Sequence, residues 1–185
     1  NCVYCYANAS TKGPVLSRNK ILQALNYLFS KSTSDDLRVH FLGGEPTVEW
    51  DTLVWTIAEA ERRAGDFDKN VSFSMTSNGI WSEDQFDKII NNFRMINISF
   101  DGIPDIQNLQ RPMRDGANSF ETVFKTIKKL SEVGDIELSV KVMVTDKSLP
   151  YMADTISFLN GELSGITIQL EPIHPVGTAA DSTFT

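Results

Sequence analysis

Apolar residues along the chain recur at two spacings that take turns. Ile21, Leu22, Leu25, Leu28 and Phe29 fall three and four apart, one face of an amphipathic helix that Ser17 is placed to cap. The same spacing returns from about Asp51 through Leu53, Val54, Ile57 and Ala58, with Gly65 as the expected stop. Ser82-x-x-Gln85 reads as a capping box ahead of Phe86, Ile89, Ile90 and Phe93. The longest pattern has Asn118 or Ser119 as cap, then Phe120, Val123, Phe124, Ile127 and Leu130, with Gly134 beyond its end. A fifth begins near Pro150, uses Met152, Ile156 and Leu159, and closes at Asn160-Gly161.

Strand-like runs lie between these helices, at 37–42, 71–76, 95–100, 136–144 and 166–171. Strand–helix–strand alternation implies right-handed parallel crossovers. Their parity is informative. Val71, Phe73 and Met75 alternate with Ser72, Ser74 and Thr76; Ile96, Ile98 and Phe100 alternate with Asn97, Ser99 and Asp101. Leu138, Val140 and Val142 stand opposite Ser139 and Lys141, and Ile166, Ile168 and Leu170 opposite Thr167, Gln169 and Glu171. Parallel strands covered by helices on both faces read as continuous apolar runs, and a closed barrel fills its interior with bulky branched side chains. In this chain one face is polar and small. The expectation is a wide or incompletely closed βα barrel with a wet lumen for a polar ligand. An open doubly wound sheet is the main rival, and an antiparallel sheet with one solvated face fits the long crossovers poorly.

Composition narrows the setting. With 185 residues, 41% of them hydrophobic, the chain suits one domain spanning 1–185. No apolar run approaches the roughly 18 residues of a membrane span. A net charge of −7 with scattered Lys and Arg argues against nucleic acid as the partner. Both cysteines sit in Cys2-Val3-Tyr4-Cys5, so there is no disulfide framework and a cytoplasmic, reducing setting is expected. Starting inside a motif, the chain reads as a piece of something longer. Thiols at this spacing can share a metal or cluster, or close a redox disulfide.

In βα barrels the working groups collect where strands end. Gly43-Gly44-Glu45-Pro46, Ser77-Asn78-Gly79, Ser99-Phe100-Asp101-Gly102 and Glu171-Pro172 follow four of the strands. Singly each is an ordinary turn. Together they bring polar groups and glycine-permitted backbone to one rim.

The ordered set resembles the radical S-adenosylmethionine (SAM) superfamily. Cys2-Val3-Tyr4-Cys5 is similar to the last two cysteines of its C-x-x-x-C-x-x-C motif, and Phe41-Leu42-Gly43-Gly44-Glu45-Pro46 to its GGE(P) segment. Thr76-Ser77-Asn78-Gly79 and Ile98-Ser99-Phe100-Asp101-Gly102 are similar to the next two strand-end motifs. Arg111, Gly116 and Ser119-Phe120 resemble the branch of sulfatase-maturating enzymes and SPASM-type peptide maturases. The resemblance implies an α/β fold, a partial (β/α)6 TIM-like barrel truncated by its first strand, which leaves the 37–42 run at an edge. It implies a [4Fe-4S] cluster and SAM as cofactors, with reductive cleavage of SAM to a deoxyadenosyl radical that abstracts hydrogen from a peptide or protein side chain. It also implies a small flavodoxin- or ferredoxin-like electron donor.

By the same resemblance Cys2 and Cys5 are cluster ligands, and Gly43, Gly44 and Glu45 receive the methionyl ammonium. Ser99 and Arg111 are candidates for the methionyl carboxylate, and Asn78 for the ribose or methionyl end. Gln169, and more weakly Glu171, face SAM or substrate. With one thiolate short, this chain alone is expected to be inactive and to hold no stable cluster as a monomer. Plainer roles stand beside these. Glu45 can cap the following helix, Asp101 can brace its own turn, Arg111 can be a surface ion pair, and Tyr4 and Tyr6 can shield or merely pack. His40 and His174 read as structural. The chain departs from the family at Gln107-Asn108, where relatives carry His-Asp, and at Pro175-Val176-Gly177-Thr178, which lacks a Gly-Arg. The alternatives are a radical SAM enzyme acting on a small molecule, a zinc or redox C-x-x-C module, and a hydrolase using Glu45 and Asp101.

Overall fold

Helix and strand alternate as the two spacings require. The structure, a computed structural model, describes residues 2–5 and 15–173. Expectations placed on Tyr6, His174 and residues 175–178 lie outside these. The elements in order are α1 (Arg18–Lys31), β1 (Asp36–Phe41), α2 (Trp50–Asp66), β2 (Asn70–Ser77), α3 (Glu83–Asn92), β3 (Phe93–Ser99), α4 (Pro104–Gln110), α5 (Phe120–Ser131), β4 (Glu137–Val144), α6 (Met152–Glu162) and β5 (Thr167–Pro172). Short 3₁₀ turns, Pro46–Glu49 and Leu149–Tyr151, precede α2 and α6.

The strands form one parallel sheet in the order β1-β2-β3-β4-β5. Among the described residues it is not closed, and β1 is one edge, as expected. Parity is kept throughout. A single buried cluster joins Phe29 of α1, Leu53 and Ile57 of α2, Ile89 of α3, Ile127 of α5 and Leu159 of α6 to Phe73, Met75, Ile96, Ile98 and Val140 of the sheet. Helices therefore cover the apolar face, each large buried side chain contributing about 1.5–3 kcal/mol. Phe100, Phe120, Phe124 and Phe158 stack with centroids 5.3–6.0 Å apart and lock α5 and α6 onto the end of β3. The opposite face carries His40, Ser74, Thr76, Asn97, Ser139, Lys141 and Gln169. Side chains bridge the strands there: His40 Nδ1 to Ser74 Oγ at 2.8 Å, Ser139 to Asn97, and Lys141 Nζ to Glu171 Oε1 at 2.8 Å. This is the half-polar sheet of an incompletely closed barrel. Among the described residues no helix is long and apolar enough to cross a membrane.

Local departures have local causes. Gly65 does not stop α2, which runs on to Asp66. Asp68 takes the left-handed position instead (φ 51°), with Lys69 N–H donating to Ala64 O at 2.9 Å and Asp68 N–H to Gly65 O. Phe93 belongs to β3 rather than to the helix before it. It pairs with Phe73 while Met95 pairs with Ser74, so Arg94 is an extra residue that returns Ile96 to the apolar face. Gly161 lies inside α6 rather than closing it. Val54 and Ile156, expected in the core, are each 37% exposed. Helix α4 is an element the periodicity did not reveal. It is only 7 residues long, and Pro104 and Asp105 in its first turn were its one sequence signal.

Candidate functional site

The strand ends and the polar sheet face beside them carry three groups. The first is built on Glu45. Its Oε1 accepts from Thr47 N–H (3.3 Å), Thr47 Oγ1–H (2.8 Å) and Ser77 Oγ–H (2.8 Å), and its Oε2 from the Asn78 backbone N–H (2.7 Å). Glu45 caps the 3₁₀ turn Pro46–Glu49 and ties the end of β1 to the end of β2. Trp81 Nε1–H donates to Ser77 Oγ at 2.9 Å, and Ile80 N–H to Asn78 Oδ1 at 2.8 Å, so the Asn78 side chain serves its own turn. Gly79 adopts φ 74°, and a Cβ there would stand 3.3 Å from Ile98 and Val123. Gly43 and Gly44 are exposed, and a Cβ on Gly43 would meet nothing within 4 Å.

The second group is built on Asp101, wholly buried just beyond β3. Its Oδ2 accepts from Tyr4 Oη–H (2.6 Å), Gln110 Nε2–H (2.9 Å) and Arg111 Nε–H (2.9 Å), and its Oδ1 from Met143 N–H (2.9 Å). Arg111 extends an N–H towards Cys2 Sγ at 3.4 Å and lies over the Tyr4 ring, 5.1 Å from its centroid. Val3 N–H donates to Gln110 O (3.0 Å) and Cys5 N–H to Cys2 O (3.3 Å), so the cysteine turn hangs on the C-terminal end of α4. Burial pushes the Tyr4 hydroxyl well above its ordinary range, keeping it a donor. Burial opposes the Arg111 charge, but Asp101, Tyr4 and Cys2 outweigh it and hold the guanidinium above its ordinary value. Cys2 and Cys5 are half-buried and not disulfide-bonded. Cys2 beside a fixed cation suits a thiolate ligand.

In the third group Ser99, Lys141 and Gln169 share one register row across β3, β4 and β5, all half-buried on the polar face.

The geometry therefore joins Glu45 with Asn78 and Arg111 with Cys2, and sets Ser99 and Gln169 on either side of Lys141. Sequence reasoning took Asp101 for a brace of its own turn and Tyr4 for a shield of the cluster or a packing residue. Both are central to the second group, together with Gln110. The signals were the Ser99-Phe100-Asp101-Gly102 segment at the end of β3 and the place of Tyr4 between the two cysteines, neither of which says that the two side chains meet. Gln107-Asn108, the departure from the family pattern, is structural. Gln107 Oε1 accepts from Asp101 N–H (2.8 Å) and its Nε2–H donates to Ser119 Oγ (2.9 Å). Asn108 Oδ1 accepts from the N–H groups of Ser119 (3.0 Å) and Phe120 (2.9 Å), capping α5 from outside. Among the described residues no three His, Cys, Asp or Glu side chains converge as metal ligands, so the zinc reading finds no further ligands for Cys2 and Cys5.

Comparison with known proteins gives the family and relatives of the same fold. A family model described as the Radical SAM superfamily matches residues 1–157. An uncharacterized protein of Methanocaldococcus jannaschii is 23% identical over 160 residues, covering 86% of this chain and 54% of that protein. Radical SAM cyclopropyl synthase TigE of Paramaledivibacter caminithermalis is 24% identical over 196 residues, covering 93% and 39%. Among solved structures, native anSMEcpe with bound AdoMet and Kp18Cys peptide superposes with a TM-score of 0.81 at 18% identity, covering 94% of this chain and 47% of that one. Coproporphyrinogen III oxidase (HemN) of Escherichia coli, a radical SAM enzyme, gives a TM-score of 0.61 at 15% identity over 98% and 43%. The chain thus spans about half the length, or less, of the curated relatives it matches. On the match of a family model over 1–157, the chain belongs to the Radical SAM superfamily.

Proposed function

We propose that the chain is the cofactor-binding core of a radical SAM enzyme that modifies a side chain of a peptide or protein. When bound, a [4Fe-4S] cluster and SAM supply one-electron cleavage to a deoxyadenosyl radical, which abstracts hydrogen from the substrate. The observation that carries the reading is the single rim. The Gly43-Gly44-Glu45 turn stands at the end of β1 and Ser99 at the end of β3, the Asp101 group beyond β3 carries the cysteine turn, and Lys141 and Gln169 continue the Ser99 row across the open polar sheet face.

In this reading Cys2 and Cys5 give two thiolates to the cluster, and Arg111 offsets the negative charge that gathers there. The Gly43 and Gly44 carbonyls take the methionyl ammonium, and the exposed backbone at Gly43 leaves room for close approach. Glu45 Oε2 accepts one protein hydrogen bond and keeps acceptor capacity for the same ammonium. Ser99 at the end of β3 and Gln169 within β5 would orient SAM, and Asn78 would approach its ribose or methionyl end. Arg111 has Nε committed to Asp101 and one terminal nitrogen aimed at Cys2, so only its remaining N–H groups can reach a carboxylate.

A peptide substrate is supported by fold likeness to a peptide-bound anSMEcpe. Cysteines kept as thiolate ligands suit a reducing cytoplasm. The reduced cluster requires a one-electron donor, for which a small flavodoxin- or ferredoxin-like protein is suited.

The test uses the full-length protein, reconstituted anaerobically with iron and sulfide and given SAM, dithionite and a peptide library. Deoxyadenosine formation together with a mass change in a peptide supports the reading. Absence of deoxyadenosine sinks it. Deoxyadenosine stimulated by small metabolites but by no peptide moves the enzyme to the small-molecule branch.

A further inference from the structure

We propose that Asp101 is a positioning residue for the cluster site: through Tyr4 and Arg111 it fixes the cysteine turn against β3 and holds a guanidinium N–H on the Cys2 sulfur. This rests on the reading of Cys2 as a cluster ligand.

Asp101 has no exposed surface, and its four hydrogen bonds come from three separate parts of the chain: the cysteine turn, the end of α4 and the backbone of β4. Three of these bonds fall on Oδ2 and one on Oδ1, and with no exposed surface the carboxylate is closed to SAM and substrate by burial. Burying a carboxylate is costly unless it is paired and hydrogen-bonded. A residue that only braced its own turn would not need a buried charge and donors from such distant segments. What the charge holds is specific. Tyr4, between the two cysteines, is clamped at both ends of its ring system, its hydroxyl on Asp101 and its face under Arg111. Arg111 is locked at Nε, which turns one terminal N–H towards Cys2 Sγ. Neither group could keep its place alone, because Tyr4 lies on a short turn and Arg111 on a long, flexible stem.

This arrangement bears on the cluster in two ways. Fixing the turn beforehand removes the entropy cost of ordering it when iron binds, which raises cluster retention. A cation and an N–H at the Cys2 sulfur favour the form of the cluster that carries more negative charge, so the reduction potential rises. Asp101 acts on both, and the two effects separate at its partners, since Tyr4→Phe loosens the turn while keeping the Arg111 charge beside Cys2.

The experiment compares full-length wild-type protein with Tyr4→Phe, Asp101→Asn, Arg111→Gln, Arg111→Lys and Cys2→Ala after anaerobic reconstitution. Iron content, the rate of iron loss to a chelator and the midpoint potential by EPR-monitored titration are read. Tyr4→Phe and Asp101→Asn should lose iron about tenfold faster, as outer-shell changes at metal sites do. The cluster held by Arg111→Gln should titrate at a more negative potential, with Arg111→Lys restoring part of the shift. Tyr4→Phe keeps the ring and decides the retention arm even if Asp101→Asn fails to fold. Wild-type iron loss in Tyr4→Phe, or a wild-type potential in Arg111→Gln, overturns the proposal. An intact cluster in Cys2→Ala overturns instead the ligand reading beneath it.

Discussion

Glu45 and Asn78 meet across 33 residues of chain through a 2.7 Å hydrogen bond from the Asn78 backbone N–H to the Glu45 carboxylate. That contact joins the first two strand ends of the rim, and Ser77 and Thr47 complete it from either side. Glu45→Ala would leave the nearly buried hydroxyls of Ser77 and Thr47 and the Asn78 N–H without their acceptor. Unsatisfied buried donors cost about 1–3 kcal/mol each set against a modest net gain when paired. The expected loss is about 2–3 kcal/mol for Glu45→Ala and about 1 kcal/mol for Glu45→Gln, which keeps one carbonyl acceptor. Urea unfolding with an unchanged slope would measure it.

Gly102 and Thr155 give a second expectation. Gly102 has φ 99°, and a Cβ there would come within 2.3 Å of Thr155 Cγ2. Gly102→Ala should therefore destabilise by about 3 kcal/mol or more, combining backbone strain with overpacking. Thr155→Ser removes the clashing methyl, so the double variant should recover the steric part and leave the strain. Thr155 Oγ1 is buried and has no hydrogen-bond partner among the described residues. Thr155→Val, which replaces that hydroxyl with a methyl of similar size, should then be neutral or stabilising by up to about 1 kcal/mol. Thermal unfolding of these variants checks both statements.

Much of this was legible in the sequence, and the rest was hidden for identifiable reasons. Strand parity announced a sheet with one polar face because every crossover helix packs on the same side, and the capping box at Ser82 appears with both reciprocal bonds, 3.2 and 3.0 Å. Helix ends were less legible. Asp68 replaces a glycine as the left-handed terminator of α2, and the bulge at Arg94 moves Phe93 from helix to strand. The Asp101 hub could not be read, since its partners Tyr4 and Met143 lie 97 and 42 residues away. Spacing reports neighbours on one element; it says nothing of which side chains a fold brings together from afar.

His40 supplies a pH dependence whose sign follows from its surroundings. Burial, then Lys141 and Arg38, lower its pKa below the ordinary 6.5, so the folded state resists protonating it. Between the folded value and about 6.5 the unfolded chain binds the extra proton, and stability falls as pH drops through that window. Above the window His40 is neutral in both states and contributes nothing. An NMR titration should find His40 below the ordinary histidine value, and Lys141→Gln should raise it. A His40 that titrates at or above that value would contradict its partial burial beside two cations.

Gly43 separates a demand of the fold from a demand of the ligand. At Gly102 and Gly79 the chain itself explains the glycine, through positive φ and crowding by Thr155, Ile98 or Val123. At Gly43 neither reason applies: among the described residues nothing would lie within 4 Å of an added Cβ, and the backbone avoids the left-handed region. Gly43→Ala should leave stability within about 0.5 kcal/mol of wild type, as exposed substitutions do. If the methionyl end of SAM rests against this backbone, the added methyl must instead displace it, and affinity should fall by about tenfold or more. Calorimetry of SAM binding to the reconstituted full-length protein, paired with unfolding of the same variant, reads the two quantities independently. Unchanged stability with lost affinity would place SAM against the Gly43-Gly44 turn. Unchanged values of both would remove that turn from the binding site and leave Ser99 and Gln169 to hold SAM without it.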